Sequence, residues 1–275
     1  VRWRLIRDGY HDGPTNMAID EAIMLAHSAG HVPPTLRFYG WRPPALSLGY
    51  TQKAEREVDL EACGRAGVDV VRRPTGGRAV LHDREVTYSV VVSTALFPGS
   101  VVETYRRLSA GLVEGLRLLG LPAEVQDGPP RPALRSAACF DSPSWYELVV
   151  EGRKVVGSAQ VRRLGVLLQH GSIPLRFSAA RLVGLLRLPE GWRARLQEDL
   201  AAHAAGVCDL GRPVTFAHVI DAMVEGFRLA LGLELEEGEL TDAEQAEARR
   251  LRDEKYGTWE WNVLGKLKGE ERVRV

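Results

Sequence analysis

Apolar and polar positions follow two different rhythms along this chain. In EVTYSVVVS (85–93) a period of two places Val86, Tyr88 and Val90 on one face and Thr87, Ser89 and Val91 on the other, as a strand in a sheet requires. VETYRRLSAGLVEGLRLLG (102–120) instead repeats every three to four residues and predicts an amphipathic helix closed by Gly120 and Pro122. WRLIRDG predicts a first strand, and Pro14-Thr15-Asn16 opens a helix to about Ala29, where Gly30 stops it. TLRFYGW, PALSLGY and VDVVRR are further strand-like runs, with the helical DLEACGRAG before the last of them. WYELVVEGRKVVGSAQVRR and LGVLLQHGSIPL predict strands joined by tight turns at Glu151-Gly152 and around Leu164-Gly165. Helical patterns occupy the regions around 178–186, 190–204, 214–230 and 241–255. Strands in the middle and helices in the last third predict an α+β fold, with a mixed, largely antiparallel sheet packed against helices. Between them QDGPPRPALRSAACFDSPS (126–144) has no period and reads as a long surface loop.

Charge and composition narrow the possible roles. Lys plus Arg and Asp plus Glu both number 36, so no excess positive charge suggests a sequence-independent nucleic-acid binder. No apolar run approaches a membrane span, and VRWRLIRDGYHDG lacks the apolar region of a signal peptide. Three cysteines without a CxxC pair fit a reducing compartment, so a cytoplasmic location is expected.

The candidate chemistry begins at Cys139, in the polar turn of AACFDSPS, and at Lys154, in GRKVVGSAQ. A thiol acts through its thiolate, and a nearby ammonium both favours that form and stabilises an oxyanion, so the pair points to covalent acyl transfer. A free cysteine is also commonly a small core residue, the reading that Cys63 and Cys208 invite from their apolar neighbours. RRPTGGRAVLHD (72–83) pairs a glycine turn at Gly76-Gly77 with Arg72, Arg73 and Arg78; it is suited either to an anionic or carbonyl ligand or to a plain hairpin. It is neither a P-loop nor a dinucleotide fingerprint. His82 and His170 are each compatible with substrate contact and with a structural hydrogen bond. His27 and His31 lack a third ligand nearby, so no metal site is expected.

Together RRPTGGRAVLHD, ELVVEGRKVVGSAQVRR, LQHGSIPL and KYGTWEWN resemble the lipoate-protein ligase and octanoyltransferase family, over about residues 30 to 262. The resemblance implies the catalytic fold shared with biotin-protein ligases. It also implies a single domain over 1–275, with a catalytic core at about 30–240 and a helical segment at 241–275. Arg73, Gly76, Gly77, Arg78, His82 and His170 would then bind substrate, with Gly157, Ser158 and Ala159 along the acyl chain and Lys154 at its carbonyl. ATP-using ligases of the family carry a third glycine where this chain has Arg78, and they need no nucleophilic cysteine. TGGRAVLH with ACFDSPSWYEL is most similar to the LipM-type branch, which makes Cys139 the acyl-thioester nucleophile and Lys154 its activator. The implied reaction takes octanoyl from octanoyl-acyl carrier protein to a lipoyl-domain lysine, with the glycine cleavage H protein the expected acceptor. Neither ATP nor a metal cofactor is expected. An ATP-dependent lipoate or octanoate ligase, an amidotransferase between lipoyl domains, and a silent carrier-binding module are the alternatives. Arg72, Arg131, Arg135, Arg162 and Arg163 are candidates for steering acidic partners. Trp259 and Trp261 are candidates for bracing the core.

Overall fold

A computed structural model of the chain describes residues 1–127 and 146–266. Strand β1 (Arg2–His11) leads to helix α1 (Gly13–Ser28), strands β2 (Thr35–Trp41) and β3 (Ala45–Leu48), and short helices α2 (Ala54–Glu57) and α3 (Leu60–Arg65). Strands β4 (Asp69–Arg72), β5 (Val80–His82) and β6 (Glu85–Ser93) precede helix α4 (Val101–Leu118). Four strands follow: β7 (Ala123–Asp127), β8 (Tyr146–Val150), β9 (Arg153–Arg163) and β10 (Val166–Pro174). Helices α5 (Ala179–Gly184), α6 (Trp192–His203) and α7 (Phe216–Leu231), strand β11 (Glu234–Glu237) and helix α8 (Asp242–Leu251) complete the order, before two π-helical turns at Arg252–Tyr256 and Glu260–Leu264.

Eight strands form one sheet in the order β11-β1-β2-β6-β10-β9-β8-β7. β1 runs parallel to both β11 and β2, and every other neighbouring pair is antiparallel. The expected mixed, largely antiparallel α+β architecture is therefore present. A smaller sheet, β4-β3-β5, stands beside it. The period-two reading of β6 holds: Val86, Tyr88 and Val90 join the core under α4 and α7, whereas Val91 joins a second core with α1. Thr87 and Ser89 are nonetheless buried, so the polar face is lined with hydrogen bonds rather than water.

Both predicted tight turns are present, with Glu151 and Gly152 at φ 50° and 73° and Leu164 and Gly165 at φ 53° and 71°. Paired positive φ values are what a two-residue hairpin needs to match the strand twist. The expected loop begins later than 126, because Gln126 and Asp127 complete β7 by pairing with β8. β7 and β11 are both short edge strands, absent from the elements the sequence predicts: β7 alternates only through Ala123 and Val125, and β11 has Leu235 as its one apolar residue.

Arg72 is not a steering residue on the surface. It is 1% exposed, and its guanidinium donates to the carbonyls of Gly49, Tyr50, Gln52, Trp261, Asn262 and Val263. Of the two tryptophans in KYGTWEWN, Trp261 is buried and braces β4, while Trp259 is 57% exposed. Arg162 ties β9 to the start of α4 by donating to the carbonyls of Gly99 and Ser100, and the side chain of Arg163 is 54% exposed. Cys139, Arg131 and Arg135 lie outside the described residues.

Candidate functional site

The small sheet presents the turn between β4 and β5 to the middle of the large sheet, and a cavity lies between them. Its volume is about 410 Å3, counting the solvent-open mouth. Arg73, Gly77, Val80 and His82 form the small-sheet wall. β6, β9 and β10 supply Thr87, Gly157, Ser158, Ala159, His170, Gly171 and Ser172, and Met17, Tyr39 and Trp41 form the deep end. Gly77 is exposed, whereas Met17, Tyr39 and Trp41 are buried, so the cavity runs inward from the glycine turn. A narrow, mostly apolar slot with a few polar groups suits a flexible hydrocarbon chain carrying one polar end.

Seven expected site residues meet here: Arg73, Gly77, His82, Gly157, Ser158, Ala159 and His170. Gly76 and Arg78 belong to the same turn without lining the cavity. Arg78 is directed outward, with Nη1 3.4 Å from Glu57 Oε2. Lys154 sits three residues before Gly157 on β9, outside that lining. It is 5% exposed and its Nζ lies 3.0 Å from Glu147 Oε1. The Lys154 carbonyl accepts from the Ala205 amide, which fixes the start of the strand.

Arg73 is a brace as well as a wall. Nη2 donates to the carbonyls of Gly76 (2.9 Å) and Arg78 (3.0 Å), and Nη1 to both the carbonyl and hydroxyl of Ser47. Gly49 allows the turn to close, because a Cβ there would run into the Gly77 carbonyl oxygen. Gly171 lets β10 pack closely against its neighbours at the cavity wall, since a Cβ there would come 2.6 Å from both Ser158 Oγ and Tyr88 Cε1.

His170 is buried, and that burial lowers its pKa despite the opposing pull of Asp20, so its ring is neutral at pH 7. Burial pushes the Asp20 pKa up, but the His170 hydrogen bond and the Arg37 charge outweigh it and leave the carboxyl below its ordinary range. His82 stacks on Trp41 with ring centroids 4.1 Å apart, and its Nδ1 lies 2.7 Å from Glu85 Oε1. The sequence reading passed over Asp20, Ser47, Gly49, Thr75, Glu85 and Gly171. Thr75 and Gly171 stand inside quoted motifs, and Asp20 interrupts the apolar side of α1; that acid was the available signal. Cys63, by contrast, is a core thiol: it is 1% exposed, and burial with Asp59 nearby pushes its pKa to about 11. Among the described residues no group of three or more His, Cys, Asp or Glu side chains could hold a metal ion.

Residues 12–228 match the family described as the lipoyl protein ligase A/B catalytic domain. The chain belongs to this family. Within the lipoyl protein ligase A/B family, octanoyltransferase LipM of Kyrpidia tusciae is 55% identical over 269 residues, covering 94% of this chain and 98% of that protein. LipM of Bacillus subtilis is 44% identical, covering 94% and 97%. Among solved structures, a bipartite lipoate protein ligase from Thermoplasma acidophilum superposes with a TM-score of 0.82 at 30% identity, covering 98% of this chain and 99% of that one. Lipoate-protein ligase A bound with ATP gives 0.80 at 29% identity, covering 96% and 99%. No described helix is long and apolar enough to cross a membrane.

Proposed function

We propose that this chain is an octanoyltransferase of lipoate biosynthesis. In this reading it moves octanoyl from octanoyl-acyl carrier protein to a lipoyl-domain lysine, with the H protein of the glycine cleavage system as acceptor. The near full-length identity to LipM octanoyltransferases carries the reading. The Cys139 thiolate attacks the donor thioester carbonyl, the new C–S bond forms, and the carrier thiolate leaves and takes up a proton. The acceptor amine then attacks the Cys139 thioester, loses a proton as the amide forms, and returns the cysteine thiol. Lys154 serves both steps by favouring the thiolate and stabilising the oxyanion. The thioester already carries the activation, so the cycle calls for no ATP and no metal. Burying six methylenes at about 0.8 kcal/mol each would contribute about 5 kcal/mol before ordering costs.

Intact-mass measurement after mixing with octanoyl-acyl carrier protein tests the reading. The parent should gain a hydroxylamine-labile octanoyl group, Cys139→Ser should gain none as a thioester, and Lys154→Ala should gain it slowly. Turnover of free octanoate with ATP by Cys139→Ala would instead establish the ligase alternative, which the ATP-bound structural relative keeps in view.

A further inference from the structure

Both histidines of the cavity are engaged at both ring nitrogens. His170 Nδ1 lies 3.3 Å from Asp20 Oδ2, and Nε2 lies 2.7 Å from Thr75 Oγ1. Asp20 also accepts from Arg37, Ser89 and Tyr39 at 2.8 to 2.9 Å, so its carboxylate is held in place and acts only as an acceptor. The Nδ1 of His170 therefore carries the proton and its Nε2 accepts from the Thr75 hydroxyl. His82 repeats the scheme. Its Nδ1 faces Glu85, which Thr87 and Ser172 also hold, and its Nε2 lies 2.6 Å from Ser47 Oγ.

The two chains converge. Thr75 Oγ1 accepts from Arg73 Nε at 3.4 Å, and Ser47 Oγ accepts from Arg73 Nη1 at 2.7 Å. The same guanidinium binds the carbonyls of Gly76 and Arg78 on either side of Gly77. Its five N–H groups are thus all directed at protein oxygens, and neither imidazole presents a lone pair or proton to the cavity.

We propose that Asp20 and Glu85 are positioning residues for acyl transfer, each acting through a histidine and a hydroxyl on Arg73, so that the guanidinium holds the Gly76-Gly77 turn over the cavity in one geometry. The acyl role rests on the octanoyl-transfer reading; the geometry does not. Neither carboxylate lines the cavity. Their contribution is to fix ring orientation and tautomer, which in turn fixes the hydroxyls that receive Arg73.

Two measurements on the full chain test this. Imidazole 15N spectra of the substrate-free protein at pH 7.5, assigned with His82→Gln and His170→Gln, should show both rings as the Nδ1–H tautomer. Asp20→Asn should move His170 to the other one. Kinetics with octanoyl-acyl carrier protein, normalised to sites that form the thioester, should show kcat/KM about fivefold to tenfold lower in Ser47→Ala and in Thr75→Val. Thr75→Ser should restore it to within about twofold, and the double variant should lose less than the product of the singles, because both struts end on one group. An Nε2–H tautomer for either ring, or fully multiplicative losses, would overturn the proposal. A parent that forms no octanoyl adduct while both tautomers stand as described sinks the octanoyl reading, and the acyl role with it, but leaves the Arg73 geometry intact.

Discussion

Arg72 and Trp261 hold each other by two reciprocal hydrogen bonds: the Trp261 indole donates to the Arg72 carbonyl at 2.9 Å, and Arg72 Nε donates to the Trp261 carbonyl at 2.9 Å. The pair fastens the last described turn to β4, immediately before the glycine turn. Its fork also reaches the carbonyls of Gly49, Tyr50 and Gln52. A lysine offers a point charge in place of a planar fork, and several buried carbonyls would lose their donor. Arg72→Lys should therefore cost about 3 kcal/mol and lower Tm by roughly 5–10 °C. A melting curve within a degree of the parent would dismiss this role.

Stability should fall as pH drops below about 6.5, with His170 as a main cause. Burial lowers its folded-state pKa, so the unfolded chain binds the proton first. The contribution is complete above the ordinary histidine value and is lost as pH falls from there toward the folded value. Asp20, also lowered, has the same sign at more acid pH: its contribution is present above the ordinary aspartate range and lost as pH falls through the folded value. Urea midpoints at pH 7.5, 6 and 5 should decline in the parent and flatten over this interval in His170→Gln. Equal slopes in the two proteins would remove His170 from the account.

Gly49→Ala and Gly171→Ala should both reduce transfer, for different reasons. At 49 the added methyl meets backbone, the Gly77 carbonyl, and the glycine turn has to shift. At 171 it meets Ser158 and Tyr88 side chains as well as the Gly157 carbonyl at 2.7 Å, so these cavity-wall groups have to move. Each should destabilise by about 2 kcal/mol, as overpacking does. Crystal structures of the variants would check the displaced groups, and unchanged turn coordinates in Gly49→Ala would contradict the first claim.

The buried Arg4–Glu244 pair ties β1 to α8, with guanidinium to carboxylate distances of 2.6 and 2.8 Å and Glu244 also closing the Thr241 capping box. Burial pushes the Glu244 pKa up, but Arg4 and Thr241 more than offset it and leave it lowered. Glu244→Gln leaves Arg4 charged and poorly matched, so unfolding free energy should drop by about 3 kcal/mol in chemical denaturation. A loss below about 0.5 kcal/mol would mean that water replaces the carboxylate.

Legibility in the sequence followed the range of the interactions. The helix at 101–118 and the strand at 85–93 announce themselves because their periodicity is local, and both hairpin turns carry their glycines in place. β11, sequence ELEE, has no such signal; it exists because β1 offers it an edge. The glycine turn and the GSA stretch are each legible as contiguous motifs, but it is the resemblance to the family that joins them into one site. The partner of His170 was not, since Asp20 stands 150 residues earlier on α1. Arg72 and Arg73 look alike in RRPTGG, yet one fastens the distant turn at 260–264 and the other the adjacent glycine turn; only three-dimensional packing separates their roles.

The parallel pairing of Arg2–Leu5 with Glu234–Glu237 carries a consequence for biosynthesis. A ribosome adding 5–20 residues per second leaves β1 without that neighbour for on the order of ten seconds or more after the strand is made. During that interval its outer backbone edge is open to pairing with other chains, a hazard that Arg2, Arg4 and Arg7 counter with positive charge. Each of the three arginines then finds a carboxylate in the late-made part of the chain, so the charges that guard the nascent edge also close it.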